Sequence, residues 1–184
     1  MKKKNIPNVL TAMRAVVTLI VIALFSFEFP WKFEVIFGLF VFGSLTDFFD
    51  GYLARRWNIE SKFGKVFDSL FDKVFTLVFY MMLIPYGVVP VFLLALLLFR
   101  ELVVDGIKNY MLSDGVPISP MMSGKLKMWF QILMIGFILL SLIFVGMEWI
   151  FIAANVSAYI ALILAYYSAF LYGKTFYQAS KHGK

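Results

Sequence analysis

The chain has 184 residues, of which 62% are apolar and 19% aromatic, while only 15% carry charge. That apolar surplus excludes an ordinary water-facing globule, favours a helical bundle set in lipid, and leaves no length for a separate soluble catalytic domain. The net charge of +6 would suit nucleic acid in a soluble protein, but the sequence has neither a basic duplex-binding helix nor an aromatic-basic strand pattern. Zero cysteines exclude disulfides and thiolate chemistry.

In chain order, a basic Met1 to Lys4 precedes helix 1, expected from near Asn8 to Phe27 with Pro7 where a first-turn proline is tolerated. Arg14 interrupts the apolar run and no small-residue cleavage pattern follows Phe27, so this segment reads as a retained helix. Phe29 to Phe33 reads as an exterior turn, and helix 2 follows from about Glu34 to Arg56, with its charges in the second half. Asn58 to Gly64 is a polar connection, after which helix 3 runs from Gly64 or Lys65 to Ile84. Pro85, Gly87 and Pro90 divide a 26-residue uncharged run and mark a turn before helix 4, Pro90 to Tyr110. Ser113 to Ser123 is the longest loop. The uncharged runs Met128 to Met147 and Trp149 to Gly173, 20 and 25 residues long, mark helices 5 and 6 and are each long enough to cross a hydrocarbon core.

The fold class is therefore an all-α integral membrane protein with six transmembrane helices in a single domain, residues 1–184. Placing both termini in the cytoplasm puts 16 of 17 basic residues on the inner side, with Lys32 alone opposite, as the positive-inside rule requires. The localisation expected is a bacterial cytoplasmic membrane, and the basic surplus also suits contact with anionic membrane lipids.

The informative stretch is Asp47-Phe48-Phe49-Asp50-Gly51-Tyr52-Leu53-Ala54-Arg55, followed by Gly64, Asp68 and Asp72. Asp47 and Asp50 are three residues apart and Asp68 and Asp72 four apart, so each pair shares a helix face. The short connection between helices 2 and 3 brings the pairs toward the inner end of the bundle, where four carboxylates would repel one another. Divalent cations resolve that repulsion, and all-oxygen donors suit Mg²⁺ or Mn²⁺, two ions with phosphate ligands completing the coordination. Metal-assisted phosphoryl transfer is the leading chemistry. Small Gly51 and Ala54 leave room for a nucleotide or for close helix packing, and Arg55 suits a diphosphate. Intramembrane acids also occur in transporters, which stand as the alternative of a different class.

The pattern Asp47-x-x-Asp50-Gly51-x-x-Ala54-Arg55, eight residues, then Gly64-x-x-x-Asp68-x-x-x-Asp72 resembles the full signature of the CDP-alcohol phosphatidyltransferase family. The resemblance implies a six-helix membrane enzyme, commonly a homodimer, that uses divalent metals to pass a phosphatidyl group from a CDP-linked donor to an alcohol, releasing CMP. On that basis Asp47, Asp50, Asp68 and Asp72 are metal ligands and Asp72 is also the catalytic base. Gly51, Ala54, Arg55 and Gly64 hold the CDP portion of the donor.

The resemblance covers about residues 5–131 and is strongest to the subgroup that combines CDP-diacylglycerol with sn-glycerol 3-phosphate, through Asn5-Ile6-Pro7-Asn8-x-Leu10-Thr11-x-x-Arg14, Arg100-Glu101 and Gly124-Lys125-x-Lys127-x-x-x-Gln131. It implies an acceptor-phosphate pocket drawn from Arg100, Lys125 and Lys108, with Arg14 and Lys127 as further candidates and Glu101 orienting Arg100. Ser69 and Phe71 depart from the subgroup's Asp-Pro-x-Ala-Asp, Asp105-Gly106-Ile107-Lys108 from its Ser-Ala-Leu-Arg, and Met128 from its threonine. These departures keep other acceptors open, namely serine, an inositol phosphate or phosphatidylglycerol.

Overall fold

The computed structural model describes residues 6–57, 62–113 and 122–182, with side chains at 12–46, 70–113, 122–178 and 181. Among the described residues there are six α-helices and no strand: α1 Ile6–Phe25, α2 Lys32–Trp57, α3 Lys62–Leu83, α4 Val91–Ser113, α5 Met122–Ile143 and α6 Glu148–His182. The expected helix order is present. The chain divides into two compact units, Met1–Tyr86 with Ile138–Met147, and Gly87–Phe137 with Glu148–Lys184.

In the first unit α1 packs against both α2 and α3. Val17 and Val21 of α1, Ile36 and Phe40 of α2, and Phe75, Phe79 and Leu83 of α3 are buried. Phe40 stacks on Phe75 at 6.0 Å between ring centroids and meets Phe79 edge-on at 5.0 Å. Contacts of this kind contribute about 0.5–1.5 kcal/mol each beyond burial. They fix the register of an antiparallel helix pair, because going forward from Phe40 to Gly43 on α2 goes back from Phe79 to Phe75 on α3.

The second unit is built on α4 and α6. Leu93, Leu94 and Leu97 of α4 are buried, as are Ala154, Ala158, Ala161 and Ala165 of α6. Small side chains recurring every three or four residues let a leucine ridge approach the α6 backbone closely. Asn155 donates to the carbonyls of Val88 and Phe151, fastening the turn before α4 to α6. Further along, Lys108 lies over the ring of Tyr172 and Tyr110 meets Phe176 edge-on, so α4 and α6 run parallel.

Among the described residues two helices, Met122–Ile143 and Glu148–Gln178, are long and apolar enough to cross a membrane, and Ala12–Phe25 is a shorter apolar helix. The charges of α2, α3 and the second half of α4 interrupt their apolar runs. Large apolar side chains such as Leu19, Phe92, Phe99, Leu102, Trp129 and Phe170 stand exposed across both units, a distribution suited to lipid contact and costly in water.

The expected boundaries shift for physical reasons. Helix α5 begins at Met122 and ends at Ile143, whereas the uncharged run spans Met128 to Met147. Lys125 and Lys127 are good helix formers, so charge does not delay the start, and Gly146 at φ +96° provides the left-handed turn that stops the helix early. Helix α6 continues past Gly173 to His182, because hydropathy marks lipid contact and not the end of hydrogen bonding. Helix α4 likewise runs to Ser113. Gly87, at φ +65°, makes the turn expected between Pro85 and Pro90.

Lys32 is the clearest correction among individual side chains. It opens α2 and is 3% exposed, where the sequence suggests a cation in an exterior turn. Its ammonium donates to the Phe25 carbonyl at the end of α1 and to Glu28 at 2.8 Å, and lies over the rings of Phe25 and Phe33. The Glu28 hydrogen bond, with help from Tyr86 and the Glu28 charge, holds the Lys32 pKa above the usual lysine value although burial opposes it.

Candidate active site

Helix α2 carries Asp47, Asp50, Gly51, Ala54 and Arg55, and α3 carries Gly64, Asp68 and Asp72, all within the first compact unit. The side chains of seven of these predicted site residues, and of Ser69, lie outside the described residues; Asp72 alone among them is described. It is half-buried on α3, and the Thr76 hydroxyl donates to its backbone carbonyl at 3.2 Å. Among the described residues no group of three or more His, Cys, Asp or Glu side chains is placed to hold a metal. The chemistry of the donor set nevertheless fits a hard divalent ion, since the sequence clusters carboxylates here, contains no cysteine, and has its single histidine at position 182.

Next to this segment, α2 and α3 meet through Gly43 and the rings of Phe40, Phe75 and Phe79. Gly43 is buried against the Phe75 ring, and the buried Thr46 hydroxyl donates to the Gly43 carbonyl at 2.7 Å. Phe71, one of the departures from the subgroup pattern, is half-buried on α3.

The basic candidates separate into two groups. Arg14 belongs to the first unit, where it is 1% exposed in α1, and its carbonyl accepts from Thr18. Arg100, Lys108, Lys125 and Lys127 belong to the second. Arg100 is buried, donating from Nε to the Ala165 carbonyl at 2.8 Å and from Nη2 to the Ser168 hydroxyl at 2.5 Å. Lys127 is also buried and donates to Glu101 at 2.5 Å, while Arg100 Nη1 reaches the same carboxylate at 3.5 Å. Glu101 thus serves Lys127 at shorter range than Arg100. Its single carboxylate ties α4 to α5, and Arg100 ties α4 to α6.

Lys125 is exposed on α5, and Lys108 is half-buried with its ammonium 4.5 Å from the Tyr172 ring centre. Of the remaining departures, Asp105 and Met128 are half-buried, and a Cβ at Gly106 would meet open space, so packing does not demand glycine there. Ser168 and the Ala165 carbonyl were not legible as partners of Arg100. They sit in an uncharged run where nothing in the residue types marks them out, and only the parallel approach of α4 and α6 brings them to the guanidinium. Gln131 is buried on α5, one turn from Lys127.

Comparison with known proteins extends this reading over nearly the whole chain. The family model for CDP-alcohol phosphatidyltransferase matches residues 4–168. The chain is 32% identical over 173 residues to a Rickettsia typhi protein named CDP-diacylglycerol–glycerol-3-phosphate 3-phosphatidyltransferase, covering 93% of this chain and 96% of that one. A Yersinia enterocolitica protein of the same name is 32% identical over 177 residues, covering 91% and 92%. One from Bacillus subtilis is 30% identical over 148 residues, covering 74% and 77%. With the aspartate signature on consecutive helices and a match of this extent, the chain belongs to the CDP-alcohol phosphatidyltransferase family.

Proposed function

We propose that the chain transfers the phosphatidyl group of CDP-diacylglycerol to sn-glycerol 3-phosphate, giving phosphatidylglycerophosphate and CMP. The observation that carries this reading is the near full-length similarity to proteins named for that reaction, together with the complete aspartate signature. The helix register supports it. Phe40 meets Phe79 and Gly43 meets Phe75. If that pairing continues three or four residues at a time along both helices, Asp47 would come level with Asp72, Asp50 with Asp68 and Ala54 with Gly64.

In this reading Asp47, Asp50, Asp68 and Asp72 hold two Mg²⁺ or Mn²⁺ ions, which when bound polarise the phosphoryl group and offset charge on the leaving phosphate. Gly51, Ala54 and Gly64 give the nucleotide room, and Arg55 binds the diphosphate bidentately. Asp72 accepts the proton of the acceptor hydroxyl. The hydroxyl oxygen then bonds to the phosphatidyl phosphorus as the bond from phosphorus to the CMP oxygen breaks, a direct displacement needing no covalent enzyme intermediate.

For the acceptor phosphate, Lys125 and Lys108 are the strongest candidates; the guanidinium of Arg100 and the ammonium of Lys127 already have protein partners. Arg14 is a further candidate. We read the chain as one domain with six crossings, both termini and the site cytoplasmic, in contact with anionic lipids and working as a homodimer. The parallel course of α4 and α6, with α5 between them in the chain, suits alternating crossings, as does the bias of basic residues.

Purified protein in lipid with Mg²⁺ and CDP-diacylglycerol is expected to release CMP and form phosphatidylglycerophosphate only on addition of glycerol 3-phosphate. Folded protein that binds the donor but forms no such product would overturn the assignment. Parallel reactions with serine, inositol phosphate and phosphatidylglycerol, read by lipid-product mass, show whether the departures at Asp105, Gly106 and Lys108 have changed the acceptor.

A further inference from the structure

The contact between Gly43 and Phe75 lies one helical turn before Asp47 on α2 and one turn after Asp72 on α3. A Cβ built at Gly43 would stand 2.6 Å from Cζ and 2.7 Å from Cε2 of the Phe75 ring, about 1 Å short of ordinary carbon contact. The ring has little freedom to yield. Phe75 is 5% exposed, stacked on Phe40 at an interplanar angle of 4° and set against Phe79 at 5.0 Å. Close packing of this kind transmits a shape change to the backbone instead of absorbing it. By contrast, a Cβ at Gly38 on the same helix meets nothing within 4 Å.

Resting on the metal-dependent reading above, we propose that Gly43 and Phe75 form the spacer that sets how closely α2 and α3 approach at the aspartates, which makes Gly43 a positioning residue for the divalent ions. Magnesium demands near-ideal octahedral oxygen geometry, with distances of about 2.0–2.1 Å, so a shift of several tenths of an ångström between the helices is felt as lost affinity. The Thr46 hydroxyl, bonded to the Gly43 carbonyl, couples this contact to the residue immediately preceding Asp47.

The test is Mn²⁺ binding by purified protein, read from the resonance of free Mn²⁺ ion, alongside Mg²⁺ dependence of CMP release. Gly43→Ala is expected to weaken Mn²⁺ binding about tenfold and raise the half-saturating Mg²⁺ similarly, with the KM for acceptor changed less than about twofold. Gly38→Ala leaves Mn²⁺ affinity unchanged. Phe75→Leu removes the wedge without adding bulk and is expected to weaken Mn²⁺ binding several-fold. It carries the test if Gly43→Ala does not fold. The Gly43→Ala/Phe75→Leu pair, which exchanges bulk across the contact, binds Mn²⁺ more tightly than either single variant. Unchanged Mn²⁺ affinity in folded Gly43→Ala or in Phe75→Leu overturns the proposal, as does a double variant no better than the singles. Wild-type chain that binds no Mn²⁺ and releases no CMP overturns the metal-dependent reading itself, a result distinct from normal wild-type behaviour with insensitive variants.

Discussion

The two compact units join their helices by different means. In the first, the described seam between α2 and α3 is made of stacked rings and a glycine, Phe40, Phe75, Phe79 and Gly43, with the aspartate segment beginning one turn beyond it. In the second, cations are built into the seams: Arg100 joins α4 to α6, and Glu101 joins α4 to Lys127 of α5. Apolar packing sets a distance, whereas a buried ion network sets partners. A buried cation whose hydrogen bonds go to protein serves the fold first, so residue type alone is a weak guide to which basic side chain meets substrate.

The sharpest way to test that contrast is Asp72→Asn, which keeps the size but exchanges one acceptor oxygen for a donor amide and removes the charge and the basicity. Turnover is expected to fall at least about a hundredfold, with the melting temperature and donor binding close to wild type. Near-native turnover in purified protein would remove Asp72 from its proposed role.

In the second unit the order of effects reverses. Arg100→Met is expected to cost about 2–4 kcal/mol of stability, because its partners on α6 lose a charge-assisted donor in a buried seam, and thermal unfolding in detergent measures this. Lys125→Ala, from an exposed site, should leave the melting temperature unchanged while raising the KM for glycerol 3-phosphate several-fold and sparing donor binding. If Arg100→Met unfolds like wild type and instead mimics Lys125→Ala in acceptor kinetics, Arg100 belongs to the pocket after all.

The smallest effect belongs to the ion pair at the end of α1. Because the Lys32 pKa is raised in the folded protein, its contribution is fully present below the unfolded lysine value and is lost as pH rises through the folded one. Glu28 is 87% exposed, so solvent screens the pair and Glu28→Gln should cost only about 0.5 kcal/mol near neutral pH. The variant should also show a shallower loss of stability above pH of about 10.4; an identical alkaline unfolding profile would remove Glu28 as the cause of the shift.

Much of the proposed site is legible in residue types and their spacing. Asp47, Asp50, Asp68 and Asp72 announce themselves because carboxylates in an apolar chain are costly, and their intervals place each pair on one helix face. Gly43 gives no such signal. It lies in the apolar half of α2, where glycine has many uses, and only the position of the Phe75 ring shows that a methyl group would not fit. The same is true of Lys32, whose charge suggests solvent but whose stem and ammonium are enclosed by Phe25, Glu28 and Phe33.

By itself the sequence determined the helical class, the order of the six helices, the apolar runs of α5 and α6, and the carboxylate signature. Each follows from composition or from spacing along one helix, which are local properties. The tertiary structure decided where helices stop against their turns, which basic side chains are already held by protein partners, and which small residues mark a close approach. Those outcomes depend on atoms that are distant in the chain and meet only when helices pack, as Arg100 meets Ser168 and Gly43 meets Phe75.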